Sequence, residues 1–387
     1  MPMTPSAKKP WQNGYALGYL RTLRKVFTEF DCGMCHGAFS AVKENTIANW
    51  LARGELLLDQ EDNPKAIAIA SWHLRGRRAI NGFAGPAGYP RPGALRLRRV
   101  ACLDGEEDRL SNMVRGLAAD APEVWLEGWA ESQTVRYLAE SLGLLWVGSK
   151  VMAGSEIVGV YYRGPQRLEG PSLADQAGLC LLDLDLSRLL PRALKCLSGL
   201  DYADHYSAYN KRHSWGALAL AGFNPADPNF IIKPAEMSKR WKAENQGTLS
   251  WKCGDTSLRQ QLPELEPMLR AIPGGKERIR LMSLAPRGGE LARHADITDR
   301  DAGTLPGKLM RIHIPLITNP DVRFQQWTLD GEIKEAHMRA GEVWYLDTRK
   351  PHTAVNGGST PRVHLVIDAK ASPDLLDLLP TEDRGCQ

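Results

Sequence analysis

The sequence contains no apolar run approaching the ~18 residues that a membrane helix needs. Its first residues, Met1 to Trp11, carry two lysines with no apolar stretch behind them, so no secretory leader is expected. Cysteines are few: seven, scattered and odd in number, which argues against a disulfide scaffold and for a reducing, cytoplasmic setting. There is little charge imbalance either, with 49 Lys and Arg against 45 Asp and Glu and no long basic block, so a polyelectrolyte partner is not indicated by charge. What is present is the composition of a folded protein: 43% hydrophobic, 24% charged and a mean hydropathy of -0.34. A chain of 387 residues exceeds one ordinary domain, which predicts two.

Two local features invite functional readings. Cys32 and Cys35 form a CxxC followed by His36, the spacing of a zinc knuckle, a redox pair or a haem attachment. No second ligand pair follows, so two ordinary thiols are expected. Arginines cluster at Arg75, Arg77, Arg78, Arg91, Arg96, Arg98 and Arg99. On a strand, Arg96 and Arg98 would share one face and Leu95, Leu97 and Arg99 the other. An anion or nucleic-acid site is one reading; a solvated face is the one we favour.

Two Gly-Pro pairs between Arg163 and Pro171 read as a domain edge. Before it, periodicity predicts a helix (Thr46 to Arg53), a strand (Ala66 to Leu74), a Gly/Pro-rich loop (Asn81 to Gly93) and a strand (Ala94 to Cys102). A helix (Glu106 to Leu117), a strand (Val124 to Gly128), a helix (Gln133 to Leu142) and a hairpin (Leu144 to Val151, Glu156 to Tyr162) follow. This order, with Val124-Trp-Leu-Glu-Gly-Trp129 and the helix closing on Leu142-Gly-Leu144, resembles the GNAT acetyltransferase fold. The resemblance implies an α/β domain over residues 1–165. Where it would place a Gly-rich turn for the pyrophosphate of acetyl-CoA, this chain has Asp104, Glu106, Glu107 and Asp108 near Gly105. Carboxylates there oppose phosphate binding, so a degenerate, non-acetylating domain is expected.

After the edge come a strand from Gly178, a helical stretch (Ser187 to Leu197) and a polar, aromatic middle. A succession of short strands then runs from Arg278 to Asp368, with Asp330-Gly331 as the strongest hairpin signal. Many short strands predict a jelly roll over residues 172–380, and hence an α+β two-domain chain. Within the β region, His294 and Asp296 lie two apart on an extended segment and therefore face one way. His352 downstream can complete two imidazoles and a carboxylate, the open-faced set of non-haem Fe(II) sites. Arg362, ten positions on, is a permanent cation suited to a buried carboxylate. On Leu309 to Leu316, Arg311 and His313 share a face opposite Ile312, Ile314 and Leu316.

The words Leu281 to Glu290, His294-Ala-Asp296, Arg311 to Leu316, Gly341 to Asp347, Pro351 to Asn356 and Arg362 to Asp368 resemble the aspartyl/asparaginyl β-hydroxylase family of Fe(II)/2-oxoglutarate dioxygenases. The resemblance implies a double-stranded β-helix, iron on His294, Asp296 and His352, and Arg362 on 2-oxoglutarate. It further implies secondary cosubstrate contacts from Ser283, Arg311 and His313, O2 as second cosubstrate, and an amino acid, free or in a peptide, as substrate. Asp296 is kept here, as in bacterial members that hydroxylate free amino acids. By the residues themselves, His364 reads as a core histidine and Trp344 as packing. His36, His73, His205 and His337 read as surface or structural. Tyr209, Asn210, His213 and Trp215 lie where the family carries substrate-side residues. Two other readings stay open: a bifunctional hydroxylase and acyl-CoA-dependent acyltransferase, and a non-catalytic jelly-roll module for nucleic acid.

Overall fold

The computed structural model describes residues 44–53, 55–59, 65–72, 93–103, 105–151, 156–164, 178–206, 210, 212–233, 236, 243, 252–296 and 301–380. The CxxC with His36, the Gly/Pro-rich loop up to Gly93, most of the Gly-Pro edge, Tyr209, His73, Asp104 and Arg75, Arg77, Arg78 and Arg91 lie outside the described residues. The chain divides into two compact units, residues 1–150 with 157–170, and residues 171–387 with 151–156.

The first unit opens with α1 (Glu44–Arg53), β1 (Leu56–Leu58), β2 (Ala66–Trp72), β3 (Leu95–Cys102) and α2 (Glu107–Asp120). It continues with β4 (Val124–Trp129), α3 (Gln133–Ser141), β5 (Leu145–Val151) and β6 (Ile157–Arg163). Its sheet order is β1-β2-β3-β4-β6-β5, in which β3 and β4 are parallel and joined through α2. Ser132 caps α3 by accepting from the Val135 N–H at 3.3 Å, and Gly143 ends the turn after it with φ 66°. The expected alternation along β3 fails at one point. A bulge shifts the register between Ile69↔Arg99 and Ala70↔Leu97, so the core face passes from Leu95 and Leu97 to Val100 and Cys102. Arg99 is thereby exposed instead of sharing the face of Leu97.

The second unit begins with β7 (Leu179–Asp185), a 3-10 turn over Ser187–Leu189, α4 (Leu190–Lys195), β8 (Ala203–Asp204), β9 (Trp215–Gly222) and β10 (Gly254–Asp255). Next come α5 (Ser257–Gln261), α6 (Glu266–Ala271), β11 (Lys276–Leu284), β12 (Gly289–His294), β13 (Leu309–Ile317) and β14 (Val322–Trp327). The last elements are β15 (Ile333–Ala336), β16 (Glu342–Leu346), β17 (His352–Asn356), β18 (Arg362–Lys370) and α7 (Pro373–Leu376). One sheet runs β10-β9-β11-β18-β13-β16-β7, with β8 on β9; the other runs β12-β17-β14-β15. Successive strands alternate between the two sheets from β11 to β14 and again from β15 to β18, with the β14–β15 hairpin kept within the smaller sheet, the pattern of a double-stranded β-helix.

Five of these strands, β8, β9, β10, β12 and β17, carry no strand expectation from sequence. β12 and β17 are short, and a register shift between Leu291 and His294 breaks their alternation. The Asp330-Gly331 hairpin forms, but with a longer loop: β14 ends at Trp327 and β15 starts at Ile333, closed by Thr328 N–H to Glu332 O at 2.9 Å. Alternation on β11, β13 and β18 sends Ile279, Leu281, Ile312, Ile314, Leu365 and Ile367 into one apolar core. Their neighbours in sequence face the other sheet.

Leu281 is fully buried in that core, so Leu281→Ala should lower unfolding free energy by about 2–5 kcal/mol. Ile333→Ala, at a site 55% exposed, should stay within about 0.5 kcal/mol. Chemical denaturation of both variants measures the contrast.

Candidate functional site

The inward faces of β11, β13 and β18 bring polar residues into rows across the sheet. Arg311 pairs with Asp368, and Asp368 stands beside Arg278; Arg280 and His313 both pair with Val366; Met282 pairs with His364; Leu284 pairs with Arg362. Together with β12, β14, β16 and β17 they enclose a cavity of about 390 Å³. His294, Asp296, His352, Arg311, His313 and Arg362 all line it.

His294 ends β12 and His352 begins β17, and the two are direct cross-strand partners. Their rings stand 4.3 Å apart between centroids. His294 Nδ1 lies 2.9 Å from Ala292 O and His352 Nδ1 lies 2.9 Å from Lys350 O. Each Nδ1–H donating to its carbonyl leaves Nε2 as the coordinating atom, the usual outer support of a metal-binding imidazole. Asp296 follows on the same segment, its N–H donating to Thr348 O at 2.7 Å, and its Oδ1 lies 3.8 Å from His294 Nε2. Burial keeps both imidazoles neutral, lowering His294 below its ordinary value and His352 to about 3. Burial works to raise the Asp296 carboxyl, but Arg311 and the two imidazoles outweigh it and hold it below the usual carboxylate range.

Asp296 Oδ2 accepts from Arg311 Nη1 at 2.7 Å, and as the side chains stand no group of three or more His, Cys, Asp or Glu among the described residues is arranged to hold a metal ion. The chemistry of the donor set nonetheless suits a divalent cation: two neutral imidazoles with supported Nδ1 atoms, His294 and His352, on adjoining strands, and one ionised carboxylate, Asp296, just past the end of β12. Arg311 is itself fixed, donating from Nη1 to Thr348 Oγ1 at 3.1 Å and from Nε to Asp368 Oδ1 at 2.8 Å. It is therefore committed to protein oxygens rather than open to a cosubstrate.

Asp368 is the hub behind this arrangement. Only 3% exposed, it also accepts from Arg278 Nε at 2.8 Å and from Arg280 Nη2 at 3.1 Å. Burial alone would raise its carboxyl; Arg311, Arg278 and Arg280 together hold it well below the ordinary range. At the other end of the rows, Arg362 is 4% exposed and pairs with no carboxylate among the described residues. Its Nη2 donates to His364 Nδ1 at 2.9 Å, its Nε has no partner, and desolvation lowers its pKa to about 9. His313 and His364 stand beside it, their Nδ1 atoms 3.4 Å apart and each Nε2 without a hydrogen bond. His364 is thus a member of this polar group and not a fully satisfied core histidine.

Two further expectations need correction. Ser283 does not line the cavity, because alternation along β11 turns Met282 inward and Ser283 to the opposite face. His205 is no surface residue: it is 8% exposed, lines the cavity and stacks on Trp215 at 3.5 Å. Burial lowers its pKa to about 3. Asn210 serves structure, donating to His205 O and Trp215 O and accepting from the Ser214 and Trp215 N–H groups. His213 is 79% exposed in its side chain and pairs with Asp204. His337 sets Nδ1 3.2 Å from Val322 O, and Trp344 donates to Glu342. Sequence reasoning missed Arg278, Arg280 and Asp368; the one legible signal was their shared parity with Met282 and Arg362.

In the first unit, the turn before α2 does not suit a phosphate-bearing cofactor. Glu107 and Asp108 occupy the first turn of the helix, and Asp108 accepts a hydrogen bond from Tyr137. Arg96 is engaged by Glu127 and Arg98 by Glu55, so these two arginines form ion pairs and not an open anion patch.

Residues 201–372 match the family model for aspartyl/asparaginyl beta-hydroxylase. The match lies in the C-terminal part of the chain. The chain is 40% identical over 62 residues to the L-proline cis-4-hydroxylase of Rhizobium meliloti (strain 1021), covering 16% of this chain and only 20% of that protein. Among solved structures, it is similar at 11% identity and a TM-score of 0.30 to an oxidoreductase of the 2OG-Fe(II) oxygenase family from Burkholderia pseudomallei, covering 54% of this chain and 94% of that one. It is similar at 12% identity and a TM-score of 0.29 to a GNAT-family acetyltransferase from Streptococcus agalactiae 2603, covering 41% of this chain and 92% of that one.

Replacing Asp368 leaves three buried guanidiniums without their shared anion. Asp368→Asn should lower unfolding free energy at neutral pH by roughly 3–5 kcal/mol. Because the folded-state pKa is depressed, the stabilisation is present above about pH 4 and is lost as pH falls below it. The gap between parent and variant should therefore narrow in acid, as denaturant unfolding across pH 2–7 can measure; a constant gap would remove the charge from the explanation.

Proposed function

We propose that residues 172–380 form an Fe(II)/2-oxoglutarate-dependent dioxygenase that hydroxylates an aliphatic C–H of an amino acid, free or within a peptide. The observation that carries this reading is Arg362: a buried guanidinium without a carboxylate partner among the described residues, in the same cavity as His294, Asp296 and His352. A buried cation of this kind calls for an anion from outside the chain. In this reading His294 Nε2, Asp296 and His352 Nε2 hold the metal and Arg362 takes the distal carboxylate of 2-oxoglutarate. When bound, iron with 2-oxoglutarate and O2 supplies the oxidation, converting the cosubstrate to succinate and carbon dioxide.

The chain's own contribution is placement and dryness. Arg311 orients Asp296, and Asp368 orients Arg311. His313, kept neutral by burial first and by the Arg362 charge second, lines the cavity and offers a hydrogen bond beside the cosubstrate end without adding charge, while His364 accepts from Arg362. Met282, Leu291, Phe324, Leu346 and Ala354 supply apolar walls that exclude water. Residues 1–165 are proposed as a GNAT-like domain without acyl-transfer activity, since Glu107 and Asp108 oppose a cofactor phosphate. A cytoplasmic setting is proposed from the sequence, whose seven scattered cysteines do not suggest a disulfide scaffold. No helix among the described residues is long and apolar enough to cross a membrane.

Anaerobic addition of Fe(II) and 2-oxoglutarate should give the weak visible charge-transfer band of the chelate. His294→Ala and His352→Ala should each abolish it, because the remaining ligands cannot hold an open-faced site. An unchanged band in both variants excludes this metal site.

Arg362→Ala should weaken 2-oxoglutarate binding by about two to three and a half orders of magnitude, from roughly 3–5 kcal/mol for an unpaired buried charge. Iron stoichiometry should hold, and Arg362→Lys should recover part of the loss because an ammonium lacks the bidentate fork. Titration of the cosubstrate under argon reads all three proteins; normal binding by Arg362→Ala removes the cosubstrate assignment.

A further inference from the structure

Arg278 also has donors to spare. It is 5% exposed and lines the cavity, yet only its Nε is engaged, with Asp368. Its two terminal nitrogens make no hydrogen bond with any described residue. Asp368 cannot neutralise it alone, since that carboxylate is shared with Arg280 and Arg311. Glu236 lines the same cavity; its Oε2 accepts from the Tyr206 hydroxyl and from the Lys233 N–H at 3.0 Å, which leaves Oε1 without a described partner.

The position of Arg278 separates it from the cosubstrate. Arg362 lies opposite Leu284, six residues farther along β11 than Arg278. That is about 20 Å of strand. A five-carbon dicarboxylate spans roughly a third of this distance, so one molecule held at Arg362 leaves Arg278 for a second anion.

Resting on the dioxygenase reading above, we propose that the terminal nitrogens of Arg278 bind the carboxylate of the substrate and that Glu236 meets its cationic nitrogen. A guanidinium with both ends open pairs bidentately with a carboxylate, and a carboxylate at ammonium distance completes a zwitterion. This selects a free amino acid over an internal residue of a peptide, which has lost both charged ends. A carboxylate could also come from an aspartyl side chain within a peptide; that source would use Arg278 but leave Glu236 idle.

The test uses the full chain loaded anaerobically with Fe(II) and 2-oxoglutarate. Calorimetric titration compares the twenty protein amino acids, their C-terminal amides, and N-acetyl-aspartyl amide, on the parent, Arg278→Gln, Arg278→Lys and Glu236→Gln. At least one free acid should bind, with its amide weaker by roughly 10- to 100-fold. Arg278→Gln should impose a similar loss on the acid and none further on the amide, Arg278→Lys should restore part of it, and Glu236→Gln should weaken the free acid. Binding of N-acetyl-aspartyl amide that depends on Arg278 but not Glu236 would uphold the Arg278 subsite and overturn the free-amino-acid assignment. Equal binding of acid and amide, normal binding by Arg278→Gln, or no binding by any probe overturns the proposal. The iron and 2-oxoglutarate band is read in every sample, so its absence in the parent marks failure of the dioxygenase reading, and its presence assigns any failure to the substrate subsite.

Discussion

A single buried carboxylate, Asp368, governs the polar interior of the second unit. Three arginines from two neighbouring strands converge on it, and one of them, Arg311, carries the constraint on to Asp296. A charge so deeply buried is tolerable only when its partners are in place. That requirement fixes the register of β11 and β13 against β18: a slip of one residue would turn Asp368 into the apolar core and strand all three guanidiniums. The same alternation that buries Ile279, Leu281, Ile312 and Ile367 therefore aims the polar set into the cavity. Packing and electrostatics select one arrangement.

The cavity is electrically divided along its length. Arginines without full compensation stand at both ends, Arg278 near Asp368 and Arg362 beside His364. Between them lie neutral imidazoles and apolar walls. Burial is what keeps His294, His313, His352 and His364 uncharged, and the nearby guanidiniums reinforce it at His313 and His364. An imidazole held neutral can donate a lone pair, and a guanidinium cannot lose its charge at ordinary pH. The two residue types consequently do different work: the imidazoles suit a cation, the arginines suit anions, and the spacing along β11 and β18 keeps the two anion positions apart.

The first unit is built on a different economy of charge. Two of its three arginines on β3 are matched by Glu127 and Glu55, and carboxylates crowd the start of α2 where a helix terminus favours anions. Its sheet and helices pack a full apolar core around Leu97, Leu110, Val114, Leu126 and Leu138. The fold is well supported while the polar turn that would serve a phosphate is filled with the wrong sign.

Much of this was written in the local sequence. Alternation marked β11, β13 and β18, helical spacing marked α2 and α3, and the words around His294, Asp296, His352 and Arg362 named the residues that meet in one cavity. Such features are legible because side-chain direction along a strand or helix depends only on neighbours in the chain. The sequence by itself could not reveal β12 and β17, short strands whose alternation is broken by a bulge. It also could not turn Ser283 outward in favour of Met282, draw His205 inside against Trp215, or join Arg278 and Arg280 to Asp368 across some ninety positions. Those facts follow from which strands become neighbours. Neighbour choice is settled by closure of two sheets over one core, where the need to pair every buried charge and fill the apolar space acts between segments far apart in the chain.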